Sequence, residues 1–488
     1  MLKVTKGFFW SAVDYVSVQA IQFFISIIIA RLVAPSAYGV IVMVQVFVSF
    51  AQLFIDSGLK NALIQKKDRT DIDFYTMFIF NLGVALFFYA VLFIVAPYIA
   101  DFYNQPVLAD LTRVIGLSMV LSSLSITQLA RLQILLDFKT QAKARVLSVI
   151  ISGIIGIGCA YHGMEVWALA IQGVVGAFVT SVLLMYFSRW MPRWRFSYQS
   201  FKHLAIFGSK LLFGNILTMF YIQITNLIIG KVYTPAQLAY YNRGFALSQL
   251  PSTSIVGVIS QTVFPIYCEL QSDKRNLLVA YNKYTRLSCL IIFPVLSIVG
   301  VFAFPLTIVL LTERWVGMAE YLSIFCLVFS FYPIFTNGGQ IVMAVGQAGL
   351  LAKAVVVKRI IAFSLLVVTL PISVKLVAWG LVLSNFLEMI ISMYCVRKAL
   401  GYSFRSQLFV VSDIALLSIA SICIAWVTTI FLDNPFLIIL FGSMVCITLF
   451  ISGMYLFKFK EKELINQIIH KVLSLIHISE PTRRRGIS

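Results

Sequence analysis

The sequence contains little charge. Only 12% of its 488 residues are Asp, Glu, Lys or Arg, whereas a soluble globular domain carries roughly 25%. Hydrophobic residues make up 60% of the chain, above the roughly 45–50% of soluble proteins. This composition excludes a disordered chain, a coiled coil and an ordinary cytosolic enzyme. It predicts an all-α polytopic membrane protein, because a helix satisfies its own backbone hydrogen bonds in lipid.

The sequence also lacks the usual patterns of a metal site or a catalytic centre. Its seven cysteines form no CxxC pair and its four histidines are scattered. It has no P-loop, no HExxH motif, no nucleophile elbow and no paired carboxylates in an external loop. We therefore expect no enzyme activity, no catalytic residues, no metal and no cofactor.

Fourteen apolar runs are long enough to cross a bilayer, for which a helix needs about 20 apolar residues. They lie near residues 8–30, 38–58, 74–100, 111–136, 146–162, 165–187, 204–229, 237–264, 285–310, 319–343, 350–370, 373–396, 408–431 and 435–457. The connections on the predicted external side are short. This argues against a membrane glycosyltransferase or ligase, which needs substantial external loops for catalysis.

The basic residues predict the orientation of these spans. The chain has 38 Lys and Arg against 19 Asp and Glu, and cytoplasmic loops concentrate Lys and Arg. With the N-terminus inside, 28 basic residues fall in internal segments and five in external ones. We expect both termini in the cytoplasm, so the basic charge reflects topology and needs no nucleic-acid partner.

A short repeat divides the chain. Residues 28–40 read IIARLVAPSAYGV and residues 228–240 read IIGKVYTPAQLAY, with Pro35 matching Pro235. Six spans separate the copies, which predicts two six-helix lobes related by an axis along the membrane normal, as in some transporters. The predicted divisions are an N-lobe (1–187), a basic cytoplasmic linker (188–203), a C-lobe (204–397), spans thirteen and fourteen with a cytoplasmic end (398–472), and a tail (473–488). The tail begins LSLIHISEPTR, which resembles a translated sequencing adapter, so we expect it to be an artefact.

Polar residues mark one face of several spans, and polar groups in lipid are expected to face protein or water. On span two, Tyr38, Gln45, Ser49, Gln52 and Asp56 share one helical face. Spans one, seven and eight carry similar polar faces, and with span two they form the two repeat-equivalent pairs, one with seven and two with eight. A hydrated cavity and interhelical hydrogen bonding both explain them. The candidate cavity residues are Asp14, Gln22, Gln45, Gln52, Lys210, Asn215, Asn226 and Arg243, and Arg31 and Lys231 are candidates for the outer mouth.

Charged residues inside the spans suggest three further roles. Asp14, Asp56 and Lys210 lie at similar depth in the cytoplasmic half of the membrane, so they are candidates for a cytoplasmic gate that pairs across the lobes. Snorkelling and pairing within one lobe are the alternatives. Glu388 either binds a coupling cation or pairs within the C-lobe. Asp413 follows Ser412 and is predicted to cap the start of span thirteen.

Residues 28–67 (IIARLVAPSAYGVIVMVQVFVSFAQLFIDSGLKNALIQKK) resemble the N-terminal signature of Wzx-type polysaccharide flippases, with the WzxC-like lipopolysaccharide or colanic acid exporters as the closest group. These belong to the polysaccharide transporter family of the multidrug/oligosaccharidyl-lipid/polysaccharide superfamily. The segment NLIIGKVYTPAQLAYYNRGFALSQLP also fits, and the resemblance covers nearly the whole chain. It departs at Asn226, where many relatives carry an acidic residue, so it implies no acidic coupling site there.

The resemblance implies alternating-access transfer of undecaprenyl-pyrophosphate-linked oligosaccharide repeat units across the bacterial inner membrane, for O-antigen, capsule or exopolysaccharide. It also implies coupling to H⁺ or Na⁺. Lipid-linked oligosaccharide and membrane lipid are the expected partners, with a polysaccharide polymerase and a chain-length regulator as further candidates. The main alternative is a cation-coupled multidrug antiporter of the same superfamily, for which an acidic cavity is expected.

Overall fold

A computed structural model describes residues 2–56, 58–457 and 459, and within them the chain forms seventeen α-helices and no strand. The helices are α1 (Leu2–Leu32), α2 (Pro35–Asp56), α3 (Leu59–Gln65), α4 (Asp71–Tyr103), α5 (Val107–Ile134), α6 (Phe138–Tyr161), α7 (Val166–Ser188), α8 (Tyr198–Val232), α9 (Pro235–Glu269), α10 (Lys274–Val301), α11 (Ala303–Leu310), α12 (Gly317–Ser330), α13 (Tyr332–Ala344), α14 (Ala348–Thr369), α15 (Val374–Leu400), α16 (Phe404–Thr429) and α17 (Pro435–Leu456). The all-α prediction is confirmed.

Each of the fourteen predicted spans coincides with one helix or with two consecutive helices. Span nine corresponds to α10 and α11, and span ten to α12 and α13, where Pro333 lies at the start of the second helix. Among the described residues, ten helical segments are long and apolar enough to cross a membrane. The protein is therefore a multi-pass membrane protein. The count of fourteen crossings stays a prediction, because α14, for example, carries three basic residues within 22 positions.

The chain forms two compact units. The first contains residues 1–243, 310–318 and 362–377, and the second contains residues 244–309, 319–361 and the described residues from 378 onward. In the first unit, α1 packs on α6, and α5 packs on both α4 and α7. Its apolar contacts include a cluster of small and branched side chains from α1, α6 and α7, among them Ile25, Ile29, Ala160 and Ala168. The small alanines let these helices approach closely, as is typical of helix packing in lipid.

In the second unit, α16 packs on both α10 and α17. A buried cluster joins these helices to α15 and includes Cys289, Met393, Ile414 and Phe450. Ser403 caps α16 by accepting a hydrogen bond from the backbone N–H of Ser406 at 3.1 Å. The predicted capping role of Asp413 is therefore wrong, because α16 begins nine residues before it.

Candidate functional site

The two copies of the repeat fold in the same way. In both copies a helix runs to residue 32 or 232, a turn follows, and a new helix begins at Pro35 or Pro235. Proline favours the first position of a helix because its missing N–H would have no intrahelical partner there. The matched prolines thus fix equivalent helix starts in the two halves of the sequence.

The two copies also touch each other. A Cβ atom added to Gly39 at the start of α2 would lie 1.8 Å from the carbonyl oxygen of Pro235 at the start of α9. Only a residue without a side chain permits this approach of the two helix starts. We call residues 26–43 and 226–243 the repeat junction.

A pair of asparagines links α8 to α9 within the repeat junction. The Nδ2 atom of Asn242 donates to the Oδ1 atom of Asn226 at 3.1 Å and to the carbonyl oxygen of Leu238 at 3.0 Å. Asn226 is buried, and a buried amide is stabilised when its polar atoms are paired. Asn226, predicted to line a cavity, therefore makes an interhelical hydrogen bond here.

Arg243 projects from α9 towards α1 and α2. Its Nη2 donates to the carbonyl oxygen of Ser26 at 3.1 Å, and its guanidinium carbon lies 4.7 Å from the ring centroid of Tyr38. Its Nε is buried and makes no hydrogen bond with any described residue. Among the described residues no carboxylate forms an ion pair with Arg243. The repeat junction thus contains a positive charge that no described acidic side chain neutralises.

The segment 310–318, between α11 and α12, packs on the repeat junction. Trp315 is fully buried, and its Nε1 donates to the carbonyl oxygen of Ala30 at 2.8 Å. Its ring contacts Tyr38 edge-on at 5.2 Å between centroids and Tyr240 at 6.1 Å. The hydroxyl of Tyr240 donates to the carbonyl oxygen of Arg314 at 3.0 Å. Side chains from both repeat copies therefore hold this segment.

The two cations assigned to the outer mouth both contact backbone carbonyls. Arg31 donates through Nε to the carbonyl oxygen of Leu310 at 2.8 Å. Lys231 donates to the carbonyl oxygen of Phe102, and its Nζ lies 4.8 Å from the centroid of the Phe102 ring. Both side chains are exposed. Their role at a mouth stays a prediction.

The glutamines of the polar faces lie on accessible parts of their helices. Gln22 on α1 and Gln45 on α2 are exposed, while Gln52 is half-buried and donates to the carboxylate of Asp56 at 3.2 Å. The side chains of Asp14, Lys210 and Asn215 lie outside the described residues. The cavity and the gate formed by Asp14, Asp56 and Lys210 therefore stay predictions.

Glu388 forms an ion pair in the second unit. Lys358 on α14 donates to Glu388 on α15 at 2.8 Å, and the Lys358 Nζ also lies 5.6 Å from the centroid of the Phe335 ring. The pairing neutralises the carboxylate, so a cation would have to compete with Lys358 for it. Among the described residues there is no cluster of three His, Cys, Asp or Glu side chains that could hold a metal ion.

A second ion pair joins α10 to α16. Arg286 donates from Nη1 to Oδ1 of Asp413 at 3.0 Å and from Nη2 to Oδ2 at 2.7 Å. Its Nη1 also donates to the carbonyl oxygen of Val410 at 2.8 Å. Such two-point geometry is the strongest form of the arginine–carboxylate interaction. Sequence reasoning missed this pair, as it missed Trp315. The available signal for the pair was an arginine in one apolar span and an aspartate in another. The signal for Trp315 was an aromatic residue in a short connection.

The chain is similar in sequence to proteins named for polysaccharide biosynthesis. The profile of a family described as "Polysaccharide biosynthesis protein" matches residues 28–320, which is more than half of the chain. The lipopolysaccharide biosynthesis protein WzxC of Escherichia coli (strain K12) is 22% identical over 83% of each chain. The teichuronic acid biosynthesis protein TuaB of Bacillus subtilis (strain 168) is 22% identical over 71% of this chain and 72% of its own length.

Two solved structures share the fold. The lipid II flippase MurJ in an inward closed conformation superposes with a TM-score of 0.72 at 13% identity, covering 95% of this chain and all of its own. An inward-facing multidrug resistance transporter of the MATE family gives a TM-score of 0.61 at 12% identity, covering 80% of this chain and 98% of its own. At these identities the likeness concerns the fold alone.

Proposed function

This chain belongs to the polysaccharide biosynthesis protein family, and we propose that it moves lipid-linked oligosaccharide repeat units across the bacterial cytoplasmic membrane. The proposed substrate is an oligosaccharide attached to undecaprenyl pyrophosphate. Its sugar–phosphate head cannot cross hydrocarbon unaided, while its polyprenyl tail can stay in lipid. The proposal is supported by WzxC, TuaB and the succinoglycan biosynthesis transport protein ExoT of Rhizobium meliloti (strain 1021), relatives whose names refer to lipopolysaccharide, teichuronic acid and succinoglycan.

The observation that carries the proposal is the unneutralised charge of Arg243. Its guanidinium lies between a carbonyl of α1 and a ring of α2, and its buried Nε has no hydrogen-bond acceptor among the described residues. Guanidinium groups bind phosphate oxygens with two parallel hydrogen bonds. In this proposal Arg243 attracts the anionic pyrophosphate, and alternating exposure of the polar faces carries the head across.

A multidrug antiporter is the competing function, since transporters of the MATE family share the fold. An organic cation requires an acidic partner, because an opposite charge must offset the loss of hydration inside the protein. The charged residues of the repeat junction, Arg31, Lys231 and Arg243, are instead all cations, which favours an anionic substrate.

The test replaces Arg243 by glutamine in a cell that lacks its own copy of the gene. A lost charge-assisted hydrogen bond is worth about 1.5–3 kcal/mol, or roughly 10- to 100-fold in binding of the head group. Arg243→Gln should therefore lower surface polysaccharide and leave lipid-linked repeat units in the inner leaflet. The matched control is Arg397→Gln, which removes the same charge from an exposed position at the end of α15. Normal polysaccharide from Arg243→Gln at equal membrane abundance would contradict the proposal.

A further inference from the structure

We propose that residues 189–203, here called the connector, bind anionic phospholipid headgroups at the membrane surface. The connector joins α7 to α8 and includes the first residues of α8. It reads RWMPRWRFSYQSFKH and contains four Lys or Arg residues and no Asp or Glu. This inference does not depend on the proposed transport function.

One set of connector residues faces the protein and holds the connector against α4. Trp190 is buried and stacks on Tyr75 of α4 at 5.6 Å between centroids, with the ring planes 15° apart. The backbone N–H of Ser197 donates to the hydroxyl of Thr76 at 3.1 Å. Phe201 packs on Phe80 with 4.7 Å between ring centroids. The non-helical part of the connector is thus anchored to α4 at both ends.

The other set faces away from the protein. Trp194 is 78% exposed and Tyr198 is 71% exposed, and Met191 and Phe196 are also exposed. The basic residues between and beside them, Arg189, Arg193, Arg195 and Lys202, are exposed as well. Exposed cationic and aromatic side chains therefore lie next to one another along the connector and together make up its exposed surface.

Neither water nor hydrocarbon alone suits this surface. A large exposed indole is unfavourable in water, and arginines are costly in the centre of a bilayer. The boundary between them satisfies both, because aromatic rings sit at the headgroup level and guanidinium groups bind phosphate. The connector begins directly after Ser188, the last residue of the apolar helix α7, so it lies where an apolar span ends.

Charge complementarity selects the lipid. The adjoining turn, residues 66–73, contains three basic and three acidic residues and adds no net charge. The basic excess of the connector is therefore not offset by this neighbour. A basic residue close to an anionic membrane surface contributes about 1 kcal/mol, equivalent to roughly a fivefold preference for each charge, and the effect falls with ionic strength.

The experiment measures contact between Trp194 and each lipid. The full-length protein is placed in phosphatidylcholine nanodiscs that contain an equal fraction of brominated phosphatidylglycerol or brominated phosphatidylcholine. Bromine quenches nearby indole fluorescence. Since the chain has seven tryptophans, the Trp194 signal is the difference between the parent protein and Trp194→Phe.

We expect brominated phosphatidylglycerol to quench Trp194 at least about fivefold more effectively than brominated phosphatidylcholine at low salt. The double variant Arg193→Gln/Arg195→Gln should remove this preference. The control Arg397→Gln/Lys398→Gln, an exposed basic pair at the end of α15, should keep it. Melting curves identify any variant that fails to fold.

Three results would overturn the proposal. Equal quenching by the two lipids would show that the connector does not prefer an anionic headgroup. A preference that survives Arg193→Gln/Arg195→Gln would place its origin elsewhere. Weak quenching by both lipids would show that the connector stays in water, as expected of a docking surface for a soluble protein.

Discussion

Alanine at position 39 should destabilise the protein, whereas alanine at position 83 should not. The Cβ of Gly39→Ala would lie 1.8 Å from the carbonyl oxygen of Pro235, while real Cβ contacts essentially never fall below 3.0 Å. The helix starts must therefore separate by about 1.2 Å, the difference between these two distances. Both sides of the contact are helix starts, so no flexible side chain can move away.

The expected change in unfolding free energy follows from two opposing effects. Overpacking of a well-packed contact costs about 1–3 kcal/mol, whereas replacing glycine by alanine within a helix gains up to about 1 kcal/mol. A Cβ on Gly83 of α4 meets no atom within 4 Å, so Gly83→Ala receives the gain alone. Because Gly39 also lies within a helix, the gain applies to both variants, and they should differ by the overpacking cost alone, about 1–3 kcal/mol in unfolding free energy.

The assay is unfolding of the purified protein in mild detergent, by heat and by added denaturing detergent, followed by intrinsic fluorescence. Gly39→Ala should unfold first, the parent next and Gly83→Ala last. If Gly39→Ala is as stable as Gly83→Ala, the two repeat copies do not meet at this glycine and the junction is wrongly assigned.

Two further experiments test contacts that sequence reasoning missed. Trp315→Phe keeps most of the buried ring but leaves the Ala30 carbonyl without its donor, at a cost of about 1–3 kcal/mol. Amide hydrogen exchange in residues 310–318 should therefore accelerate by roughly five- to 100-fold. Unchanged exchange would refute the role of this hydrogen bond. The Asp413 side chain is 39% exposed, so its pair with Arg286 is expected to be worth less than the 3–5 kcal/mol of a fully buried pair, about 1–2 kcal/mol. A double-mutant cycle with Asp413→Asn and Arg286→Gln should recover that coupling in unfolding experiments, whereas additive effects would show that the pair contributes nothing.

The sequence predicted local structure well because local structure depends on local patterns. Apolar runs gave the helices, and the matched prolines gave the equivalent turns before Pro35 and Pro235. The prediction failed where a residue was interpreted from its neighbours alone. Asp413 follows a serine and suggested a helix cap, yet the cap is Ser403 and Asp413 pairs with Arg286. An intervening stretch of more than a hundred residues separates the partners, and no periodic pattern specifies such a contact.

In the candidate site, too, the sequence predicted the local structure but not the contacts between distant residues. Composition and charge distribution by themselves showed that the chain is a multi-pass helical membrane protein. The repeat indicated which helices contain the candidate site. Only the tertiary structure decided that Gly39 meets Pro235, that Arg243 lies between α1 and α2, and that Trp315 bonds to Ala30 from 285 residues away. The backbone hydrogen bonds of a helix join residues four positions apart, so a short stretch of sequence is enough to predict a helix. A side chain's partner depends on how distant helices pack, which depends on the shape of all the side chains between them.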